Sequence, residues 1–141
     1  MQPKYVGSGT SEVSMSTSSA SSAQVGLPVR RERLDRSSSG AVVHDGTAYL
    51  AALLPDPALP TVAEQAQHVI DQIDAVLARC GTSKRKLVTA VIYCNDSRHF
   101  DEVKTRWDAW VPWHDPPVCS YVVARLRSPR HKVSIQVTCA A

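Results

Sequence analysis

Two segments of the chain show the clearest hydrophobic periodicity, and the first predicts a long helix. Thr61-Val62-Ala63-Glu64 has the form of a capping box and directly follows Pro60. Apolar residues then recur every three or four positions, at Val62, Ala66, Val69, Ile70, Ile73, Val76, Leu77 and Cys80. This spacing is typical of a helix with one buried face. Gly81 supplies a C-terminal stop, so the helix is expected to run from Val62 to about Cys80.

The second periodic segment closes the chain and predicts a strand. Apolar residues alternate with Ser134, Gln136 and Thr138, at Val133, Ile135, Val137 and Cys139. A preceding strand is expected over 118–126. The continuous apolar run 87–94, rich in β-branched residues, has the length of a strand that is buried on both faces.

The remaining elements follow from turn and cap signals. Asp45-Gly46 lies between two apolar runs, 41–44 and 47–51, and favours a two-residue hairpin turn. A further short strand is expected near residues 31–36. Asp96 or Ser97 can cap a second helix, which Pro112 ends. Its apolar residues are spaced three or four apart, at Phe100, Val103, Trp107 and Trp110.

The order strand, hairpin, helix, strand, helix, strand, strand predicts an α+β domain with a mixed sheet. The strand–helix–strand unit from Tyr49 to Ile92 should cross over right-handedly, which makes its two strands parallel. Both helices then pack on one face of the sheet. The other face still carries apolar residues, and a symmetric partner copy would cover it economically.

Composition divides the 141 residues into a tail and a domain. Residues 1–29 are rich in Ser and predict a disordered tail, whereas residues 30–141 can bury a single core. No run approaches the roughly 18 apolar residues of a membrane helix, and a signal-peptide apolar region is missing. The four cysteines lack C-x-x-C spacing and are expected to be reduced thiols. A cytoplasmic location is expected, with a mitochondrial one as the alternative because the tail is Ser-rich and poor in acids.

The formal charge of +3 is mild. Basic residues form two clusters, one of Arg30, Arg31, Arg33 and Arg36 and the other of Lys84, Arg85 and Lys86. A nucleic-acid surface would need more charge with interleaved aromatic residues, so solvated surface is the expected role of both clusters. The five histidines show no ligand spacing. Neither a metal nor a cofactor is expected, and nucleic acid is not an expected partner.

Several short stretches together resemble the reactive intermediate deaminase (Rid, or YjgF-like) family, some of whose members carry an older label as L-PSP endoribonucleases. They are Ile73-Asp74-Ala75-Val76-Leu77 ending at Gly81, Trp107-Asp108-Ala109-Trp110-Val111, Pro117-Val118, and Lys132-Val133-Ser134-Ile135. The similarity runs from about residue 29 to 141. It implies a chorismate-mutase-like fold, a homotrimer, and a small-molecule cleft between subunits. It also implies hydrolysis of reactive imines and enamines, such as 2-aminoacrylate, to keto acids and ammonia.

The resemblance also marks where this chain departs from the family pattern. The family's carboxylate-binding arginine falls on Cys119, or on Val118 if the register shifts by one. Its acid on the last strand falls on Ser134, and the next outward residue is Gln136. The pocket's Ser/Thr-Gly pair becomes Ala51-Ala52, and an asparagine of the second helix becomes Lys104. The predicted ligand-binding positions are therefore Ala51, Ala52, Val118, Cys119, Tyr121, Ser134 and Gln136.

The family's acid and arginine are both replaced, so the sequence assigns no catalytic residue. Cys119, Ser134 and Lys104 are the candidates, and Arg125 is a further cation that could replace the clamp. Cys119 with His114 could form a thiolate–imidazole pair, or Cys119 could be a small buried strand residue. Three functions remain open: an imine hydrolase with altered substrate preference, a non-catalytic trimer that binds a metabolite or protein, and, last, a ribonuclease.

Overall fold

The structure is a computed structural model that describes residues 26–141. The predicted disordered tail therefore lies almost entirely outside the described residues, and Val29 already belongs to a strand. The strands are β1 (Val29–Arg33), β2 (Ser39–His44), β3 (Thr47–Leu50), β4 (Leu87–Cys94), β5 (Val118–Val123) and β6 (Val133–Ala140). The helices are α1 (Val62–Arg79) and α2 (Phe100–Trp110), preceded by short 3₁₀ turns at Lys84–Lys86 and Ser97–His99.

The six strands form one mixed sheet in the order β1-β2-β3-β6-β4-β5. β4 and β5 pair in parallel, whereas the other neighbouring pairs are antiparallel. β3 and β4 both run antiparallel to β6, which lies between them, so they point in the same direction as predicted. The last strand of the sequence thus becomes a central strand of the sheet.

Helix α1 begins and ends as its sequence predicts. Thr61 Oγ1 accepts a hydrogen bond from the Glu64 amide at 3.1 Å and donates to the Glu64 carboxylate at 2.9 Å. At the other end Gly81 has a φ of +78°, and the Thr82 amide donates to Leu77 O at 3.0 Å. These bonds complete a Schellman motif, which satisfies carbonyls that the helix leaves unpaired.

Gln65 is a buried polar residue of α1 that the apolar stripe does not reveal. Its side-chain amide donates to Leu59 O and Arg130 O, both at 3.0 Å, and its carbonyl accepts from the Lys132 amide at 2.8 Å. The three bonds use both N–H donors and the carbonyl of the amide, and they join the start of α1 to the loop before β6. This loop is thereby fixed one residue before β6 begins.

One face of the sheet is covered by the helices, and we call it the helix face. The residues of β6 that point to it are fully buried, at Val133, Ile135, Val137 and Cys139. The other face, which we call the open face, carries Ser134, Gln136 and Thr138 of the same strand. α2 packs beside α1, and the Trp110 indole N–H donates to the Asp74 carboxylate at 3.0 Å. Neither helix of residues 26–141 is long and apolar enough to cross a membrane.

Four predictions of local structure need correction. β1 spans Val29–Arg33 instead of 31–36, because Asp35 starts a tight loop by accepting from the Ser37 amide at 2.9 Å. β5 ends at Val123 instead of 126, because its neighbour β4 ends at Cys94. Asp96 caps the 3₁₀ turn that precedes α2, not α2 itself. Within one chain β4 is buried on a single face, since the helices cover only that side.

Candidate functional site

The candidate site lies on the open face where β3 leaves β6. After Leu50 the chain turns away at Ala51-Ala52 and returns to β6 through an isolated bridge between Leu53 and Ile135. The Leu53 amide donates to Ile135 O at 3.0 Å, and the Ile135 amide donates to Leu53 O at 3.3 Å. The two alanines therefore form a short excursion beside the middle of β6.

Two polar side chains of β6 flank this excursion. The Ser134 hydroxyl donates to Leu53 O at 2.9 Å and is almost completely buried. The Gln136 amide donates to Leu50 O at 3.0 Å and to Val137 O at 2.9 Å. The structure thus brings together four predicted site residues, Ala51, Ala52, Ser134 and Gln136. The hydrogen-bond donors of the two polar residues hold backbone carbonyls.

Val118 lies on the same face but not beside Ser134. It pairs with Thr89, which pairs in turn with Thr138, so Val118 shares a row with Thr138. Ser134 is four residues away from that row, roughly 13 Å along β6. Val118 is 71% exposed at the sheet edge.

Cys119 and Tyr121 point to the helix face, opposite Ser134. Their partners in β4 are Ala90 and Ile92, which are buried under the helices. Tyr121 packs edge-on against Phe100 with ring centroids 5.3 Å apart, and burial raises the pKa of its phenol to about 12. Within one chain these two predicted ligand-binding residues pack against the core instead.

The Cys119 thiol shows no sign of activation. Burial raises its pKa, which outweighs the lowering effect of nearby Lys104, so little thiolate forms near neutral pH. His114 stacks on Trp113 with centroids 3.6 Å apart, and no hydrogen bond between described residues links it to Cys119. Of the two sequence interpretations, the geometry favours a strand residue that packs against the core, although Cys119 is only half-buried. Trp113 itself is 79% exposed, unlike Trp107 and Trp110, which pack in or against the core.

Of the two cations that could replace the clamp, Lys104 lies near Cys119 on the helix face and Arg125 lies beyond the end of β5. Lys104 is on α2 and pairs with Asp108 at 2.5 Å. Arg125 follows β5 and lines a surface cavity of about 440 Å³ together with Asn95, Arg127 and Ser128. Tyr93, which sequence reasoning missed, pairs with Ser134 on the open face. Its signal was an aromatic residue two positions after Val91, on the same face of a mostly aliphatic strand.

Comparison with known proteins identifies the family. The model of the family described as Endoribonuclease L-PSP matches residues 34–141. The RutC family protein YoaB of Escherichia coli is 34% identical over 102 residues, which cover 72% of this chain and 89% of that protein. The chain belongs to the Rid (YjgF, L-PSP) family. A RutC family protein of Haemophilus ducreyi is 31% identical over 102 residues, covering 72% of this Rid chain and 87% of the relative.

Solved Rid structures agree with the fold described above. The crystal structure of a YjgF protein family member from Neisseria meningitidis superposes with a TM-score of 0.77 at 35% identity. The match covers 80% of this chain and 94% of that one. The predicted family and the predicted α+β fold, with two helices on one face of a mixed sheet, are both confirmed.

Proposed function

We propose that this Rid-family protein forms a homotrimer that binds a small molecule in clefts between its subunits and does not turn over the family's standard imines. The resemblance places a carboxylate-binding arginine at Cys119, or at Val118 if the register shifts by one. The observation that carries the proposal is that Val118, which lies on the open face, presents an apolar side chain that is 71% exposed. A guanidinium holds a carboxylate through two parallel charge-assisted bonds. Neither Cys119 nor Val118 can supply them.

The exposed apolar residues of the open face support assembly of subunits through that face. It presents large apolar side chains to solvent within one chain, including Tyr49 at 49%, Val118 at 71% and Val122 at 39% exposure. Val118 also lies far from Ser134 in its own chain. A cleft that includes both positions therefore requires a second subunit, which agrees with the trimer that the family resemblance implies.

The polar groups of the candidate site favour binding over hydrolysis. Ser134 and Gln136 donate their hydrogen bonds to Leu53 O, Leu50 O and Val137 O. Neither side chain carries a carboxylate that could activate water at neutral pH. The site therefore has no general base on β6, and backbone carbonyls already hold the donors of its two polar side chains.

Two other functions are weaker. An active deaminase would need another cation, and Arg125 supports it most, because it lines a cavity at the carboxyl ends of β4 and β5 with Arg127. A ribonuclease rests on the description of the family model. The candidate-site residues Ala51, Ala52, Ser134 and Gln136 include no histidine or carboxylate for the acid–base chemistry that RNA cleavage requires.

Ammonia release from 2-aminoacrylate, generated in place, tests the proposal. The natural protein should stay at background, whereas Val118→Arg should gain activity by at least about a hundredfold, since each bond to a charged group contributes roughly 1.5–3 kcal/mol. Val88→Arg adds the same charge on β4, one residue before Thr89, the partner of Val118, and should gain nothing because it does not occupy the arginine position. All proteins are first checked for a trimer by sedimentation. Activity of the natural protein would disprove the proposal, as would a monomer.

If Arg125 supplies the missing charge, the natural protein is active and Arg125→Gln abolishes that activity. Cys119→Arg separates the two alignments of the arginine position. Because Cys119 points to the helix face, this variant should remain inactive and lose stability. A gain in Cys119→Arg without one in Val118→Arg would show that the cleft lies on the other side of the sheet.

A further inference from the structure

We propose that a cavity at the β1–β2 end of the sheet binds the phosphate group of a small molecule. The cavity has a volume of about 340 Å³. It is lined by Arg31, Arg33, Arg36, Ser37, Ser38, Ser39 and Val42. Its size falls at the lower end of the roughly 300–1,000 Å³ of ligand pockets. Three arginines and three serines thus line an open space that is large enough for a compact ligand.

The strand β1 separates its charged residues by face. Arg30 donates to Arg79 O at 3.2 Å and to Cys80 O at 3.1 Å, which caps the end of α1. Glu32 pairs with Arg79 at 3.4 Å. Arg31 alternates with these residues, pairs with Val42, and points to the opposite side. The arginines of this cluster therefore differ in role, because Arg30 caps α1 and its neighbour Arg31 faces the cavity.

The loop between β1 and β2 holds the other two arginines at the cavity. A bulge occurs between Glu32 and Arg33, and the Arg33 guanidinium donates to Arg36 O at 3.1 Å. Asp35 fixes the loop by accepting from the Ser37 amide and hydroxyl and from the Ser38 hydroxyl, at 2.9, 3.3 and 3.0 Å. These bonds also hold the pKa of the Asp35 carboxyl below its usual range. Asp35 is thus engaged within the loop itself.

The charge around the cavity is only partly balanced by the protein. No ion pair within residues 26–141 involves Arg31, Arg33 or Arg36, whereas Arg30, Arg79, Arg98 and Lys104 all have carboxylate partners. Guanidinium groups match the geometry of phosphate oxygens and bind them through paired bonds. A doubly charged phosphate would balance this charge better than a single carboxylate would.

A small molecule fits the cavity better than a nucleic acid does. Single-stranded nucleic acids are bound along a basic groove with aromatic side chains on which bases stack. The cavity lining contains no aromatic residue. The other basic cluster, Lys84–Lys86, lies on a separate turn beyond α1. Within one chain the phosphate site is separate from Ser134 and Gln136 on β6. Arg31 points to the open face in the same row as Tyr49 and Val118, so the inference rests on the proposed trimer leaving this cavity open.

Isothermal titration calorimetry of the full chain with inorganic phosphate, glycerol 3-phosphate and a ten-nucleotide RNA tests this inference. The two phosphates should bind, and Arg31→Gln, Arg33→Gln and Arg36→Gln should each weaken binding by about tenfold or more. Arg85→Gln removes the same charge from an exposed turn and should leave the affinity unchanged. Thermal unfolding checks that every variant folds, which is expected for Arg31 and Arg36, whose side chains bond to no other described residue.

Three results would overturn the inference. The first is the absence of phosphate binding by the natural protein. The second is an equal loss of affinity in Arg85→Gln, which would indicate diffuse attraction to net charge. The third is much tighter binding of the RNA, with a salt dependence that corresponds to several phosphates, which would assign the arginines to a nucleic acid.

Discussion

The two faces of the sheet are built from the same strands and follow different rules. On the helix face, Ile135 and Val137 of β6 are fully buried beneath α1. On the open face, Ser134 and Gln136 of that strand bond to carbonyls at the edge of an excursion in β3. The comparison shows that the covered face is specified by apolar periodicity alone. The open face is specified by single polar contacts and by the partner subunit that covers it in the proposed trimer.

Truncating one side chain on each face should produce the largest difference in the free energy of unfolding, and it compares the two faces directly. Ile135→Ala should lower the free energy of unfolding by about 2–5 kcal/mol, because it leaves a cavity in a closed core. Thr138→Ala, on the open face of the same strand, should cost less than about 1 kcal/mol in a single chain. Urea unfolding of both variants measures the difference.

The protein concentration used in that experiment matters to the comparison. If a partner subunit covers the open face, the cost of Thr138→Ala rises in concentrated samples, where the trimer forms, and falls on dilution. Ile135→Ala should show no such dependence beyond that of the natural protein. Equal losses in the two variants at high dilution would contradict the difference between the faces.

The parts of the fold that were predicted correctly have strong local causes. The capping box at Thr61 and the stop at Gly81 set the limits of α1 through contacts within a few residues. The end of β5 could not be predicted in this way. Val123 is its last residue because β4 ends at Cys94, and strand length there depends on a partner about 30 residues away in sequence.

The candidate site was partly predictable for a similar reason. Period two placed Ser134 and Gln136 on one face, and the structure confirms that they share it. It could not show that Cys119 points the other way, because that depends on the register between β4 and β5. The carbonyls of Leu50 and Leu53, which hold both polar side chains, carry no sequence signal at all.

Replacing an amide by a carboxylate on the open face should have an intermediate effect. Gln136→Glu cannot donate to Leu50 O and Val137 O at neutral pH and places a negative charge beside both carbonyls. The expected loss in free energy of unfolding is about 1–3 kcal/mol at pH 7. Urea unfolding compares it with Gln136→Ala, which removes the donors without adding charge and should cost less.

The pH dependence of this variant distinguishes repulsion from simple loss of packing. A carboxyl beside two carbonyls is more stable protonated, so its pKa in the folded state lies above the unfolded value of about 4.3. The deficit of Gln136→Glu should therefore shrink as the pH falls toward 4 and reach its full size above the raised pKa. A deficit that is independent of pH would show that the side chain turns away from both carbonyls.

The smallest expected effect tests the placement of Cys119 on the helix face. Lys104→Gln breaks an exposed pair with Asp108, four residues along α2, and should cost only about 0.3–0.5 kcal/mol in thermal or urea unfolding. Because Lys104 lowers the pKa of the Cys119 thiol, its removal should raise that pKa further and slow alkylation by iodoacetamide at pH 8, followed by peptide mass spectrometry. Lys86→Gln is the matched control, since Lys86 acts on Cys139 instead. If Cys119 is alkylated as fast as a free thiol, and if neither variant changes that rate, Cys119 lies on the open face. The assignment of the β5 residues to the two faces of the sheet would then be wrong.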